Sequence, residues 1–327
     1  MSLLRGAPVR GVVCGKHGIV GYGLAVNARM KGQLRFSVVD VFTSEPLTGN
    51  PLAVVADAQG LDQSTLQSIA REFNQSETTF ILPATRPGAD WRLRCFTPGG
   101  AEVFGAGHNA LGAWWWLAEA GRLVLNGPSN AFAQELGQRV LPVEVLAIAG
   151  RPTAIGMGQT SPEFGAVCAD RAALAAALRL ADPDLSIDRL PAQVVSTGAA
   201  HLLVSARTRA AVDRARPDGE LLASLLRSVG GQGCYLFCLE PIDPTATAYA
   251  RFFNPTVGIA EDAATGSAAG PLACHLVAAG IVRDGADVVV EQGHSMARPS
   301  RIQVSARGGQ VRVFGRGVVV AEGTLRV

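Results

Sequence analysis

The chain has 327 residues, 48% of them hydrophobic, which is enough apolar material to fill the cores of two ordinary domains. Its net charge is +2, and no run of Lys and Arg interleaves with aromatic residues, so we expect no nucleic-acid partner. No stretch of about 18 uninterrupted apolar residues occurs in the sequence, so we expect no membrane span.

The first 32 residues differ from the rest of the chain in charge and pattern. They contain five basic residues and no acid, a charge of +5, which leaves −3 for the remainder. They are rich in glycine and lack the continuous apolar segment of a secretory signal. We predict that residues 1–32 are an extension outside the fold, and a translation start set ahead of Met30 would explain them.

The first half of the chain predicts a strand hairpin, a surface helix and two further strands. A Thr-Gly-Asn-Pro turn separates the hairpin strands, and the helix has Asp62 as its N-cap and apolar residues at helical spacing. Glu77 lies after the helix, at the start of the third strand. The predicted strands are 34–41, 52–56, 78–82 and 91–96, and the predicted helix is 62–73.

Two segments of similar order have helix starts 159 residues apart. Phe-Thr-Pro at 96–98 leads to Gly107, and Phe-Asn-Pro at 253–255 leads to Gly266. Each glycine opens a nearly uncharged apolar run that ends at a further glycine fourteen residues on. A helix that is apolar all round must be covered on every side. The repeated order of these motifs indicates an internal duplication. Because each apolar helix must be covered, we predict that each half wraps a sheet around one buried helix.

The second half repeats the order of elements, and further strands close the chain. The Thr-Gly-Ala-Ala segment at 197–200 echoes the earlier turn, and a surface helix is predicted at 217–229. We place the N-terminal half at 33–149, the C-terminal half at 150–312 and closing strands at 313–327, which we expect to return to the N-terminal half. No low-complexity linker separates the halves, so we expect them to pack together. The predicted strand segments are 194–204, 235–239, 247–253, 287–291, 301–305, 311–314 and 318–321.

Three residues near the helix starts are candidates for chemistry. Glu77 is an acid in a polar segment beside apolar strands, where loss of solvent would raise its pKa and make it an acid–base group. His108 follows the first helix-start glycine, and Asp262 precedes the second by a short turn. The structural alternatives are an exposed or capping role for Glu77 and ordinary helix-entry roles for His108 and Asp262.

The two helix starts are also candidates for anion binding. Gly107 with His108, and Gly266 with Ser267, leave free backbone N–H groups at the positive end of a helix dipole. Such a start binds a carboxylate or a phosphate, so two starts that face one cleft would form a small-anion site.

Two other motifs at these helix starts are weaker. The segment 105–110 fits a dinucleotide fingerprint loosely, but a Pro-Gly-Gly turn precedes it and residues 125–134 hold no acid for a ribose. The segment 266–270 lacks the Gly-x-Ser-x-Gly order of a nucleophile elbow, so we expect Ser267 to donate a hydrogen bond rather than attack a substrate.

The six cysteines and five histidines show no metal-binding or disulfide pattern. The cysteines are scattered in apolar surroundings, and Cys234 and Cys238 lie on one face of a predicted strand, which favours buried thiols. The histidines have no ligand spacing. We therefore expect reduced thiols, no metal and a cytoplasmic location.

Five separate motifs follow one another from about residue 34 to residue 327. They are Asp-Val-Phe-Thr at 40–43 with Gly-Asn-Pro-Leu-Ala-Val-Val at 49–55, Asn-Gln-Ser-Glu-Thr at 74–78, Phe-Thr-Pro at 96–98 with Gly-His at 107–108, Gly-Ile-Ala-Glu-Asp-Ala-Ala-Thr-Gly-Ser-Ala at 258–268, and Gln-Gly at 292–293 with Arg-Pro-Ser at 298–300. Together they resemble the motifs of the PhzF-like phenazine-biosynthesis family.

The resemblance implies a fold similar to that of diaminopimelate epimerase. This fold is of the α+β class and has two pseudo-symmetric halves, each a curled, mostly antiparallel sheet around a central helix, with the active site between them. The resemblance also implies a homodimer.

The family's site residues match positions in this chain. The glutamate that shuttles the proton falls on Glu77, and the family aspartate that orients the substrate and supports proton movement falls on Asp262. The helix-start residues that bind the substrate carboxylate fall on Gly107, His108, Gly266 and Ser267.

One departure separates this chain from cysteine-dependent racemases of the same fold. Those enzymes need a thiol before each helix-start glycine, where this chain has Ala106 and Thr265. Neither side chain exchanges a proton as a thiolate does. A one-base mechanism through Glu77 stays compatible.

We therefore expect a cofactor-independent isomerase that moves a proton on a small carboxylate substrate, resembling trans-2,3-dihydro-3-hydroxyanthranilate isomerase. Two alternatives stay open. One is a small-molecule-binding or interaction protein without turnover. The other is an amino-acid epimerase in which Glu77 acts alone or with Asp262 as a second base.

Overall fold

The computed structural model describes residues 33–186 and 190–327. The extension predicted at 1–32 lies outside the described residues. Within them, 18 strands form one connected sheet system around two central helices. No helix in the described ranges has both the length and the hydropathy needed to cross a bilayer.

The elements predicted for the first half are confirmed, and three strands after the central helix were missed. The surface helix begins where expected, because the Asp62 carboxylate accepts a hydrogen bond from the backbone N–H of Thr65. Glu77 directly precedes the third strand. The elements are β1 (Gln33–Val41), β2 (Asn50–Val55), α1 (Gln63–Phe73), β3 (Thr78–Pro83), β4 (Trp91–Phe96), β5 (Glu102–Val103), α2 (His108–Glu119), β6 (Ser129–Leu136), β7 (Arg139–Ile148) and β8 (Arg151–Gln159).

The second half contains its predicted strands and further short elements. The segment predicted at 194–204 is two strands with a turn at Gly198, and the surface helix begins two residues late because Asp218 is its N-cap. The elements are β9 (Glu163–Val167), α3 (Arg171–Leu178), β10 (Gln193–Ser196), β11 (Ala200–Ser205), α4 (Arg209–Arg214), α5 (Gly219–Val229), β12 (Gly233–Cys238), β13 (Ala248–Asn254), β14 (Ile259–Asp262), α6 (Gly266–Ala278), β15 (Asp287–Gln292), β16 (Ser300–Arg307), β17 (Gln310–Gly315) and β18 (Gly317–Arg326).

Strand pairing confirms the internal duplication. In the first half β2 runs parallel to β3, β3 antiparallel to β4, β4 parallel to β6, and β6, β7 and β8 follow as antiparallel neighbours. In the second half β11, β12, β13, β15, β16 and β17 pair in the same order and directions. The predicted α+β class with two pseudo-symmetric halves is therefore confirmed.

Each central helix is the crossover between two parallel strands. α2 connects β4 to β6, and α6 connects β13 to β15. Parallel neighbours require such a crossover, and here the sheet curls around it. The α2 residues Trp114, Trp115 and Trp116 are all buried, and the indole N–H groups of Trp114 and Trp116 donate to Gln134 and Ser37 at 2.8 Å. The predicted burial of both central helices is confirmed.

Strands also join the two halves. β8 pairs with β7 on one side and with β17 on the other, and β18 pairs with β1. The division predicted between residues 149 and 150 falls in the turn between β7 and β8. The strand order of the repeat groups β8 with the first half, and β8 pairs with both β7 and β17, so the division stays a prediction.

A buried glycine after β15 brings two backbone segments together. Gly293 has φ +82°, and a Cβ atom there would lie 2.2 Å from the carbonyl oxygen of Arg298 and 2.5 Å from that of Ala263. Backbone cannot move aside as a flexible side chain can, so only glycine fits this crossing.

We predict that Gly293→Ala lowers the free energy of unfolding by more than about 3 kcal/mol, because the left-handed φ and the steric overlap add. Gly280→Ala is the matched control, since Gly280 has φ +68° and nothing within 4 Å of an added Cβ. The control should lose only about 1 kcal/mol. Urea unfolding of both variants measures the difference, and equal losses would contradict the crossing as the cause.

Candidate functional site

In the described structure the N-cap residues of the two central helices make no capping hydrogen bond with their own side chains. Gly107 precedes α2 and has no side chain, and Thr265 precedes α6. A threonine at this position usually accepts a hydrogen bond from the helix backbone. Here the Thr265 hydroxyl instead donates to Asp262 at 2.5 Å. Neither N-cap residue therefore covers the positive end of its helix with its own side chain, which is compatible with an anion site.

Glu77 has an unsatisfied carboxylate oxygen. Its Oε2 is buried and has no hydrogen-bond partner among the described residues. Burial raises the pKa of Glu77 above its ordinary value, and the nearby charge of Asp262 adds to this, whereas His108 and Asn109 act in the opposite direction. The structure thus brings Glu77, His108 and Asp262 close enough to interact electrostatically.

His108 lies beside the segment that carries Glu77. Its Nε2 is 3.3 Å from the hydroxyl of Ser76, the residue before Glu77. The next residue, Asn109, shapes the helix start, because its Oδ1 accepts from the N–H groups of Gly107 and Ala110 at 2.7 Å. The first helix start and the acidic residue are therefore fixed relative to each other.

Asp262 ends β14 and is held from two directions. Its Oδ1 accepts from the Asn50 amide at 2.9 Å, and its Oδ2 accepts from the Thr265 hydroxyl. The Asn50 amide also donates to the carbonyl of Ala264 at 3.0 Å. Because Asn50 begins β2, these bonds connect the first half of the chain to the loop before α6.

Gln292 also holds the loop between Asp262 and the start of α6. Its side-chain oxygen accepts from Tyr235 at 2.9 Å and from the backbone N–H of Thr265 at 3.1 Å. Its amide donates to the carbonyl of Asp262 and to the Thr265 hydroxyl. The Gln-Gly motif had suggested the family but no role, and the structure shows that this residue, fully buried, fixes the entrance of α6.

In each half a bidentate ion pair also restrains the loop that leads to the central helix. Arg251 on β13 pairs with Glu261, the residue before Asp262, and its guanidinium lies 4.9 Å from the Phe253 ring centroid. In the first half Arg94 pairs with Glu102 in the same way. The duplicated pairs restrain the loops that lead to the two helix starts.

Ser267 has a partner that the sequence analysis did not select. Its Oγ is 3.2 Å from Nε2 of His201, a buried residue of β11. Burial lowers the pKa of His201 to about 4, so the imidazole is neutral near pH 7. His201 had been set aside as one of five histidines without ligand spacing, because nothing in the sequence connects residues 66 positions apart.

The thiols and the metal-binding residue types form no second site in the described part of the chain. Cys95, Cys168, Cys234, Cys238 and Cys274 are buried and free, and Cys14 lies outside the described ranges. Within residues 33–186 and 190–327, no group of three or more His, Cys, Asp or Glu side chains is arranged to hold a metal ion.

Comparison with known proteins gives consistent results. The family model described as phenazine biosynthesis-like protein matches residues 39–323. The chain is 33% identical over 302 residues to the trans-2,3-dihydro-3-hydroxyanthranilate isomerase of Pseudomonas chlororaphis, which covers 89% of this chain and 98% of the relative. It is 35% identical over 301 residues to an uncharacterized isomerase of Mesorhizobium japonicum, with coverage of 89% and 98%.

Solved structures share the fold. The crystal structure of a PhzF-family phenazine biosynthesis protein of Bacillus anthracis has a TM-score of 0.81 at 28% identity and covers 90% of this chain and 99% of that one. A hydroxyproline epimerase of Agrobacterium vitis has a TM-score of 0.61 at 13% identity, with coverage of 92% and 94%, which is a likeness of fold alone.

We predict that Glu77→Gln raises the free energy of unfolding at neutral pH. Burial raises the pKa of Glu77, so its ionised form destabilises the folded state at any pH above the folded pKa. Below the unfolded pKa of about 4.3 the group is protonated in both states, and the penalty disappears. Urea unfolding should therefore show a gain at about pH 8 that falls toward zero near pH 4.

Glu135→Gln is the control of opposite sign. Burial raises the pKa of Glu135, but hydrogen bonds from Thr85 and Arg86 outweigh this effect and hold its pKa below the usual range. The substitution should lower stability at neutral pH, with a loss that shrinks as pH falls through the folded pKa. A pH-independent effect in both variants would contradict the assignment.

Proposed function

Because the chain belongs to the phenazine biosynthesis-like family and is an isomerase, we propose that it moves a proton on a small carboxylate substrate through Glu77. Glu77 takes a proton from one substrate carbon and returns it at another, so the product is an isomer and no atom is gained or lost. The observation that carries this proposal is the buried Oε2 of Glu77, which has no hydrogen-bond partner among residues 33–186 and 190–327. A carboxylate with a raised pKa is closer in basicity to neutral pH, as general acid–base catalysis requires.

We propose that the substrate carboxylate binds between the two helix starts. The N-termini of α2 and α6, whose N-cap residues make no capping side-chain bond, support this, as does the hydroxyl of Ser267 on the second helix. An anion bound there would be neutralised by two helix dipoles rather than by a basic side chain.

His108 and Asp262 have different proposed roles. The charge of His108 opposes the rise in the pKa of Glu77, so His108 helps to keep the base available in its ionised form. Asp262 is fixed by Asn50 and Thr265, which suits a group that orients polar atoms of the substrate. A proton transfer between carbons needs only these groups, so the proposed reaction uses no cofactor.

The geometry favours this proposal over a two-base epimerase and over a protein that only binds. Both oxygens of Asp262 already accept hydrogen bonds, which is unfavourable for a second base in an amino-acid epimerase. A protein that only bound small molecules would have no need for a carboxylate with a buried, unpartnered oxygen, which lowers stability.

We predict that the parent protein isomerises trans-2,3-dihydro-3-hydroxyanthranilate, the compound for which the Pseudomonas relative is named, and that Glu77→Gln lowers kcat by at least about 10²- to 10⁴-fold. The amide of glutamine keeps the shape of the side chain but cannot accept the proton. Proton NMR in D₂O measures the loss of substrate signals and the uptake of deuterium.

Glu135→Gln serves as the control, because Glu135 is a buried glutamate bonded to Thr85 and Arg86. It should retain turnover. Full activity of Glu77→Gln would overturn the role of Glu77, and no turnover by the parent would move the search to other small carboxylates.

We also propose a homodimer, as the family resemblance implies. Exposed apolar side chains on β9, Phe164 and Val167, offer a surface for such contact. Sedimentation velocity should give twice the mass of the chain at micromolar concentration, and a single species of 34.0 kDa would contradict the proposal.

A further inference from the structure

His201 occupies a core position that its counterpart in the first half fills with leucine. The strand registers align the two halves residue by residue, starting from the phenylalanine before each repeated turn. In this alignment of β2 and β3 with β11 and β12, Leu52 is the counterpart of His201. Leu52 is fully buried and His201 is 3% exposed. Burying an imidazole in place of leucine costs free energy, so this exchange in one half requires a reason.

The same registers make Gly233 the counterpart of Glu77. No side chain fits there, since a Cβ atom on Gly233 would lie 2.5 Å from the Phe252 ring and 3.2 Å from Nδ1 of His201. His201 contacts Phe252 edge to face, with ring centroids 5.0 Å apart. The second half therefore lacks a counterpart of the Glu77 side chain and has a buried imidazole beside that position.

Only one ring nitrogen of His201 has a partner among the described residues. Nε2 lies 3.2 Å from Ser267 Oγ, whereas Nδ1 is buried without a partner. Ser267 is the second residue of α6, at the helix start where the proposed function puts the substrate carboxylate.

We propose that His201 is a positioning residue for substrate binding: its Nε2–H donates to Ser267 Oγ and directs the Ser267 hydroxyl proton to the substrate carboxylate. This inference rests on the proposed function, because it needs the carboxylate at the start of α6.

The two neutral tautomers of His201 have opposite consequences. With the proton on Nδ1, a buried N–H is left without an acceptor, and the serine must donate to Nε2 and turn its lone pairs toward the anion. With the proton on Nε2, the serine accepts from the ring and its own O–H is free to donate into the cleft. A bound carboxylate therefore selects the Nε2–H tautomer.

The test compares His201→Leu, His201→Gln, Ser267→Ala and the double variant His201→Leu with Ser267→Ala. Leucine is the residue at the counterpart position, and the glutamine amide restores a donor near the location of Nε2. The probes are KM and kcat for trans-2,3-dihydro-3-hydroxyanthranilate and the Kd of 3-hydroxyanthranilate, an aromatic carboxylate that cannot undergo this isomerisation.

We expect Ser267→Ala to raise both KM and Kd about 10- to 100-fold, which is the range for loss of a hydrogen bond to a charged group. His201→Leu should raise KM and Kd several fold with kcat little changed. His201→Gln should bring both constants most of the way back to the parent values. In the Ser267→Ala background His201→Leu should add nothing, because His201 acts through the serine.

Nitrogen-15 NMR of the parent protein bound to 3-hydroxyanthranilate reports the tautomer of His201 directly, in the unaltered binding site. The His201 signal, assigned by its loss in His201→Gln, should be that of an Nε2-protonated ring, and an Nδ1-protonated ring would overturn the proposal.

The possible failures are distinguishable. If Ser267→Ala weakens binding and His201→Leu does not, or if the two effects add in full, the role of His201 is wrong and the carboxylate site stands. If Ser267→Ala has no effect, the carboxylate does not bind at α6, and both the inference and that part of the proposed function fail.

Discussion

The side-chain amide of Asn50 donates to the carboxylate of Asp262 and to the carbonyl of Ala264, and these bonds connect the two halves of the chain at the candidate site. Asn50 begins a strand of the first half, and Asp262 ends a strand of the second. Gln292 fixes the other side of the same loop. Because a buried amide and carboxylate are costly when unpaired, this network specifies one arrangement of the halves.

The polar groups around the cleft are arranged so that some stay unsatisfied. The Thr265 hydroxyl bonds to Asp262 rather than to the helix it precedes, and Glu77 Oε2 has no partner in the described structure. A buried polar group without a partner lowers stability. The duplicated bidentate pairs of Arg94 and Arg251 restrain the adjoining loops, so the cost is met by contacts outside the cleft.

A nearly symmetric fold here carries an asymmetric site. The strand order and the bidentate ion pair repeat in both halves, but Glu77 corresponds to Gly233 and Leu52 to His201. In the proposed site one half supplies the acidic group, and the other supplies a hydroxyl that a neutral imidazole positions. A racemase that removes and returns a proton from opposite faces needs two bases, whereas an isomerase that moves a proton needs one.

The sequence by itself determined the elements with strong local signals. Asp62 fixed the start of α1, and the repeated glycines and uncharged runs predicted both central helices and the duplication. Strand β9 was missed because every one of its residues is exposed, so no apolar alternation marks it. The tertiary structure alone decided that Asn50 meets Asp262, 212 residues away, and that His201 meets Ser267. Local patterns encode periodicity and caps, but contacts between distant residues depend on strand register, which is fixed only when the halves pack together.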